Sequence, residues 1–234
     1  MTRHIRLLPL LLVALVTFTL GAARRGERVA PAGEAEIPFD AARIFLEYNS
    51  TDDDLGVQVL LDGDAWKRLK ILDPRGHSIL GVTAQGTLGN LGLTELFFES
   101  DEPSPAEVLE LIQAGEYEFE GVTVEGDELD SEATLSHDLP PAPVILVPST
   151  PGEELDRTQA VIQWEPIANI AGFEVIVESE DVGAEMTVPL SAGMTSLHVP
   201  VEFLDPATGY KVEVLAISLN GNKTIAEREF VTGP

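Results

Sequence analysis

The chain has no cysteine. That excludes disulfides, cysteine-ligated zinc and a lipid-modified cysteine anchor. Any domain it forms must hold by buried surface alone. Positive charge is scarce as well: 14 Lys and Arg stand against 40 Asp and Glu, a formal net charge of −26. A surface of that sign repels phosphate backbones and anionic headgroups, so neither nucleic acid nor an anionic membrane surface is an expected partner. Cations and basic partners are attracted instead, and the simplest role of the charge is solubility. The motifs of catalysis are also missing. His4, His77, His137 and His198 stand in unrelated contexts, and neither a Gly-x-Ser-x-Gly elbow nor a His-Glu-x-x-His helix occurs. The stretch Gly86-Thr87-Leu88-Gly89-Asn90-Leu91-Gly92 has neither the lysine of a phosphate-binding loop nor its βαβ context and reads as an inter-strand loop. No catalytic residue and no organic cofactor is assigned.

One long apolar run is present. Leu7 to Leu20 follows the basic pair Arg3 and Arg6 and ends on Gly21-Ala22-Ala23. Basic start, short apolar centre and small residues at the end form a secretory signal peptide over 1–23, cleaved after Ala23. The run falls short of the ~20 residues of a bilayer span, and Arg24 and Arg25 stop it from being lengthened. The expected location is therefore secreted or periplasmic, with no membrane span once the signal is gone. An uncleaved anchor is the rival reading.

Residues 24–36 are small, charged and aperiodic and read as a flexible linker. From 37 to 139, short alternating segments separated by turn residues such as Asp62-Gly63 and Glu125-Gly126 predict a β-sandwich. A single short helix interrupts it, opened by the capping box Ser104-Pro105-Ala106-Glu107. Pro140-Pro141-Ala142-Pro143 reads as a short, semi-rigid boundary over 140–143. A second set of alternating segments fills 144–234. The expected fold class is all-β, with two immunoglobulin-like β-sandwich domains in tandem.

The last third carries the strongest pattern. Ala160-Val161-Ile162-Gln163-Trp164-Glu165-Pro166 places an indole on a strand, and Leu204-Asp205-Pro206-Ala207-Thr208-Gly209-Tyr210 leads into Lys211-Val212-Glu213-Val214-Leu215-Ala216. Tyr210, Val212, Val214 and Ala216 alternate with Lys211, Glu213 and Leu215, so one face is buried. The Trp164 ring fills the space between sheets, and Tyr210 buries its ring while its hydroxyl bonds backbone. Phe173, Val175 and Val177 face inward on a further strand, with Ile176 an apolar exception on the outer face. Residues 143–232 so resemble a fibronectin type III domain. The resemblance implies a seven-strand sandwich and a scaffold role. It also implies that the loop from Ser218 to Lys223, without Arg-Gly-Asp, stands where adhesive members often present ligand motifs. Before Pro140 the likeness is only to immunoglobulin-like domains in general.

Two clusters stand out as candidate sites. Glu47, Asn49, Asp52, Asp53 and Asp54 crowd one strand end, with Asp62 and Asp64 on the adjoining hairpin. Hard oxygens at that density suit Ca²⁺, and Asp52 and Asp54 are its candidate ligands, although the spacing of an EF-hand is not met. A solvated acidic turn is the plain alternative. Trp66 lies in Asp64-Ala65-Trp66-Lys67-Arg68, where an exposed ring would stack on a sugar and a buried one would pack. Lys67, Arg68 and Lys70 form the main basic patch. Asn49-Ser50-Thr51 and Asn222-Lys223-Thr224 are glycosylation sequons. The function these features support is non-catalytic binding or structural adhesion, toward a protein or glycan partner outside the cytoplasm. Two alternatives stand beside it: a calcium-stabilised carbohydrate-binding module, and an enzyme with a carboxylate site in the inter-domain cleft.

Overall fold

Side-chain alternation decides how this chain layers. The computed structural model describes residues 36–234. The expected signal peptide over 1–23, and the linker as far as residue 35, lie outside the described residues. The first half holds β1 (Ala41–Asn49), β2 (Asp54–Leu72), β3 (Ser78–Thr83), α1 (Gly86–Leu91), β4 (Leu93–Glu99), α2 (Pro105–Leu111), β5 (Gly115–Thr123) and β6 (Glu128–Leu135). The second half holds β7 (Ile145–Val147), β8 (Glu153–Leu155), β9 (Val161–Trp164), β10 (Ile170–Ser179), β11 (Ala184–Ser191), β12 (Ser196–His198), β13 (Gly209–Ser218) and β14 (Lys223–Thr232). The class is all-β, as the alternation predicts.

β2 organises the first half, and here the structure departs from the sequence reading. Asp62-Gly63 is not a turn: one 19-residue strand runs straight through it. Its first part pairs with β1 and β4, and its second part with β3 and β5. The ladders shift register between Asp62 and Trp66, where the strand bends from one layer into the other. Gly63 permits the bend, because a Cβ there would sit 3.0 Å from the Phe39 ring. The two layers enclose Leu46, Val59, Leu61, Trp66, Ile71, Tyr117, Phe119 and Leu135 in one apolar cluster. Two short helices accompany the strands rather than one. At α2 the Glu107 carboxylate accepts from the Ser104 N–H at 3.2 Å and its hydroxyl at 2.7 Å, the capping box read from sequence. The glycine-rich stretch before β4 coils into α1, closed by Gly92 at φ 79 with its N–H on the Leu88 carbonyl.

In the second half β12-β9-β7 form one sheet and β11-β10-β13-β14 the other, with β8 added to the far end of β14. Trp164 from the first sheet meets Phe173 from the second edge-on, with centroids 5.4 Å apart. Tyr210 stacks on Phe230 at 5.5 Å. Its hydroxyl donates to the Phe203 carbonyl at 3.2 Å and accepts from the Asp205 N–H at 2.8 Å, so the phenol is buried without an orphaned polar atom. Both rings are fully packed, as the alternation requires.

One connection was not expected. β14 also pairs in parallel with β1, through Glu47–Lys223, Tyr48–Thr224 and Asn49–Ile225. A single sheet therefore passes from one half into the other, in the order β11-β10-β13-β14-β1-β2.

Candidate functional site at the seam

The turn between β13 and β14 builds the seam. Gly221 takes φ 93, and the Ser218 N–H bonds the Asn222 carbonyl at 2.9 Å, which reverses the chain tightly. Asn220 fixes the turn from inside by accepting the Asn222 N–H at 3.0 Å. Three successive side chains then point at the first half. Asn222 accepts the Leu46 N–H at 2.9 Å and donates to the carbonyls of Ser136 at 2.8 Å and Asp138 at 3.0 Å. Lys223 reaches Glu47 at 3.1 Å and Glu174 at 3.4 Å, and lies 5.4 Å from the centroid of the Phe45 ring. Thr224 donates its hydroxyl to the Pro140 carbonyl at 2.8 Å. The acidic turn between β1 and β2 closes from the other side. The Ser50 N–H bonds the Ile225 carbonyl at 2.9 Å, and Thr51 accepts the Glu227 N–H at 2.9 Å.

An ionic ladder crosses the outer face of the shared sheet. Lys211 sits 2.7 Å from Glu178, 2.6 Å from Glu213 and 3.9 Å from Glu227. Asn49 donates to Glu227 at 2.8 Å. Ile176, Leu215 and Ile225 form a small buried cluster among these charges, which accounts for the apolar exception on that face. Burial works against the Lys223 ammonium, but Glu47 and Glu174 more than offset it and hold its pKa above the ordinary lysine value. Lys211 is raised in the same way, against its own burial, by Glu213 and Glu178. Glu213 is pushed up to about 7, chiefly by burial; Lys211 counteracts this while Glu227 and Glu178 add to it.

That shift makes Glu213 a cost at alkaline pH. Its folded pKa lies above the unfolded value near 4.5, so the folded protein binds the extra proton. Stability therefore falls as pH rises from about 4.5 to about 7, and the deficit stays above that range. Glu213→Gln is expected to stabilise the protein by about 1–3 kcal/mol at pH 8 and to leave it unchanged at pH 4. Urea unfolding at both pH values checks this, and an equal effect at the two would contradict it.

The residues singled out from sequence do not converge. Asp52 is exposed on the β1–β2 turn, whose backbone N–H groups at Thr51 and Asp52 are taken by Asn49. Asp53 accepts the Tyr48 hydroxyl at 2.9 Å, and Asp54 opens β2 opposite Asn49. Glu47 is engaged by Lys223, and Asn49 gives its amide N–H to Glu227 and its Oδ1 to the turn backbone, so both side chains are committed to structural partners. Asp62 pairs with Ala41 at the opposite end of the same hairpin, roughly 26 Å away at the usual rise per residue. It and Asp64 cannot join a site at the Asp52 turn. Among the described residues no group of three or more His, Asp or Glu side chains is placed to hold a metal ion. Trp66 is fully buried at the bend of β2, within the apolar cluster of the first half, so its ring has no face for a sugar. The Ser218–Lys223 loop is spent on the seam instead of being held out for a ligand. Both sequon asparagines, Asn49 and Asn222, are buried with their amides hydrogen-bonded. Sequence reasoning missed Asn222, Lys223 and Glu47 as a set. The available signal was a lone lysine beside an Asn-Gly-Asn turn in a very acidic chain.

No protein-family model matches the sequence, and no curated protein is similar to it. Among solved structures it is similar to the chicken CNTN1 FN1–FN3 domains, at 14% identity and a TM-score of 0.33, covering 85% of this chain and 69% of that one. A two-domain fibronectin type III segment of chicken tenascin matches at 11% identity and a TM-score of 0.30, over 82% of this chain and 97% of that one. The fibronectin(III)-like modules of Clostridium thermocellum CbhA match at 8% identity and a TM-score of 0.33, over 83% and 93%. The second half has a fibronectin type III-like fold. That assignment stands on the molecule's own strand order, three strands against four, and on the bonded Tyr210 corner. No helix among the described residues is long and apolar enough to cross a membrane.

Proposed function

We propose that this protein is a non-catalytic structural or adhesion-type module that works outside the cytoplasm, with its two β-sandwich domains, near 37–139 and 144–234, acting as one stiff unit. The observation that carries this reading is Asn222. Its amide is buried, and it makes three hydrogen bonds into the other half. A polar residue so fully satisfied at a junction fixes one relative orientation, because any other leaves its donors and acceptors unpaired. The seam spends the turn, the lysine and the sequon asparagines on cohesion. A spacer or adhesive arm of fixed geometry profits from that expenditure, since binding groups on either half are then held at a set distance.

Residual dipolar couplings test the reading. Backbone N–H couplings from both halves are expected to fit one alignment tensor in the wild type and two different tensors in Asn222→Ala. Two tensors in the wild type would show the halves moving independently and end the stiff-unit reading.

A further inference from the structure

β3 presents an open sheet edge beside the basic patch. Among the described residues it pairs with β2 and with no other strand. The Ala84 N–H bonds the Lys67 carbonyl at 2.9 Å, which sets the phase of the antiparallel ladder. Hydrogen-bonded and non-bonded pairs alternate, so Val82 and Leu80 direct their backbone groups at β2. Gly81 and Thr83 direct theirs outward, along the open edge. By the same alternation, Gly81 and Thr83 share a sheet face with their register partners Lys70 and Arg68.

That face is notched. A Cβ on Gly81 would meet nothing within 4 Å. The gap belongs to a hollow of ≈ 390 Å³ lined by Arg68, Lys70, Ser78, Thr83, Glu120 and Val122, among others. The Arg68 backbone is laddered between β3 and β5, but its exposed side chain makes no hydrogen bond or ion pair with any described residue, in a chain with 40 acids. Lys70 has Glu120 at 3.5 Å, with both side chains about half exposed. Leu80 and Val82, on the other face of β3, are partly buried at the rim of the core, and Ile79 is exposed.

We propose that the open edge of β3 takes an extended acidic segment of a partner protein as an added strand, with carboxylates at alternate positions read by Arg68 and Lys70 across the notch at Gly81. The inference rests on the reading of the protein as a binding module and names the chemistry of one partner. An added strand pairs its backbone with Gly81 and Thr83, whose outward groups recur every second residue, about 6.8 Å apart. Its side chains opposite those two positions fall on the face of the cations. The missing side chain at Gly81 lets a carboxylate lie across β3 toward Lys70, while the fork of Arg68 takes the next one in a charge-assisted pair. The intervening positions fall over Leu80 and Val82 and favour apolar residues there. Within the hollow Glu120 competes for Lys70, and the acidic surface beyond it repels such a segment. At 0.15 M salt the Debye length is about 8 Å, which screens the charges that lie farther off than that.

The test uses a rhodamine-labelled peptide of alternating glutamate and valine, with the full-length protein at 0.15 M salt. Binding is followed by anisotropy, and amide exchange by NMR. Saturable binding is expected, with new exchange protection at the Gly81 and Thr83 N–H groups. Arg68→Glu should weaken binding at least about tenfold, and Gly81→Val, which fills the notch with a residue suited to a strand, should do the same. Glu120→Gln, which frees Lys70 from its competitor, should strengthen binding about two- to fivefold. Three outcomes would overturn the proposal: equal affinity for a peptide with its glutamates in one block, insensitivity to Arg68→Glu, or polygalacturonate binding in place of the peptide. Sedimentation showing that a second copy already protects Gly81 and Thr83 would overturn it too. None of these results alters the number of alignment tensors, so the stiff-unit reading stands or falls separately.

Discussion

Replacing Lys223 by alanine is expected to cost about 3–5 kcal/mol and to loosen the two halves from each other. The lysine side chain is 13% exposed, and its ammonium stands between Glu47 of the first half and Glu174 of the second, whose side chains are 11% and 16% exposed. Deleting it leaves two carboxylates facing each other in a desolvated seam. Removing one side of a buried ion pair costs far more than the pair contributes, because the remaining charge is stranded. The triple variant Lys223→Met/Glu47→Gln/Glu174→Gln strands nothing and should recover most of the loss. Chemical denaturation of the wild type, the single variant and the triple variant decides the matter. If Lys223→Ala and the triple variant are equally unstable, the lysine acts through its packing and the electrostatic account of the seam fails.

Trp66→Ala should be comparably severe, at about 3–5 kcal/mol, with no bearing on glycan binding. The indole is wholly enclosed where β2 crosses between layers, among Leu61, Leu69 and the other residues of that core. Truncation leaves a void that strands of both layers would have to close together. Trp66→Phe is the informative companion. The indole N–H has no acceptor among the described residues, so phenylalanine loses volume but no hydrogen bond. Its cost should stay within about 1–2 kcal/mol. Calorimetry on both variants tests the assignment. A Trp66→Ala protein of unchanged stability would place the ring outside the core and reopen the stacking role.

Five carboxylate or carboxamide side chains stand within the eight residues from Glu47 to Asp54, a density that suggests a cation site. Their directions depend on what lies opposite, and two of them have partners some 175 residues away, in β14. Asp62-Gly63 looked like a turn because aspartate followed by glycine usually reverses a chain. Here the same glycine serves a bend, since Phe39 occupies the space a side chain would need. Trp66, set among charged neighbours, was ambiguous for the same reason: alternation gives the face but not which layer covers it.

The residues by themselves determined the class and the second sandwich. Period-2 alternation makes one face of each strand apolar, and a Trp and a Tyr at the right strand positions fill the gap between two such faces. Those are local properties, legible one segment at a time. The continuous sheet through β1 and β14, the buried lysine at its centre and the open edge of β3 came only from the tertiary structure. Each depends on which strands become neighbours, and strand pairing is a contact between distant segments that no spacing along the chain encodes.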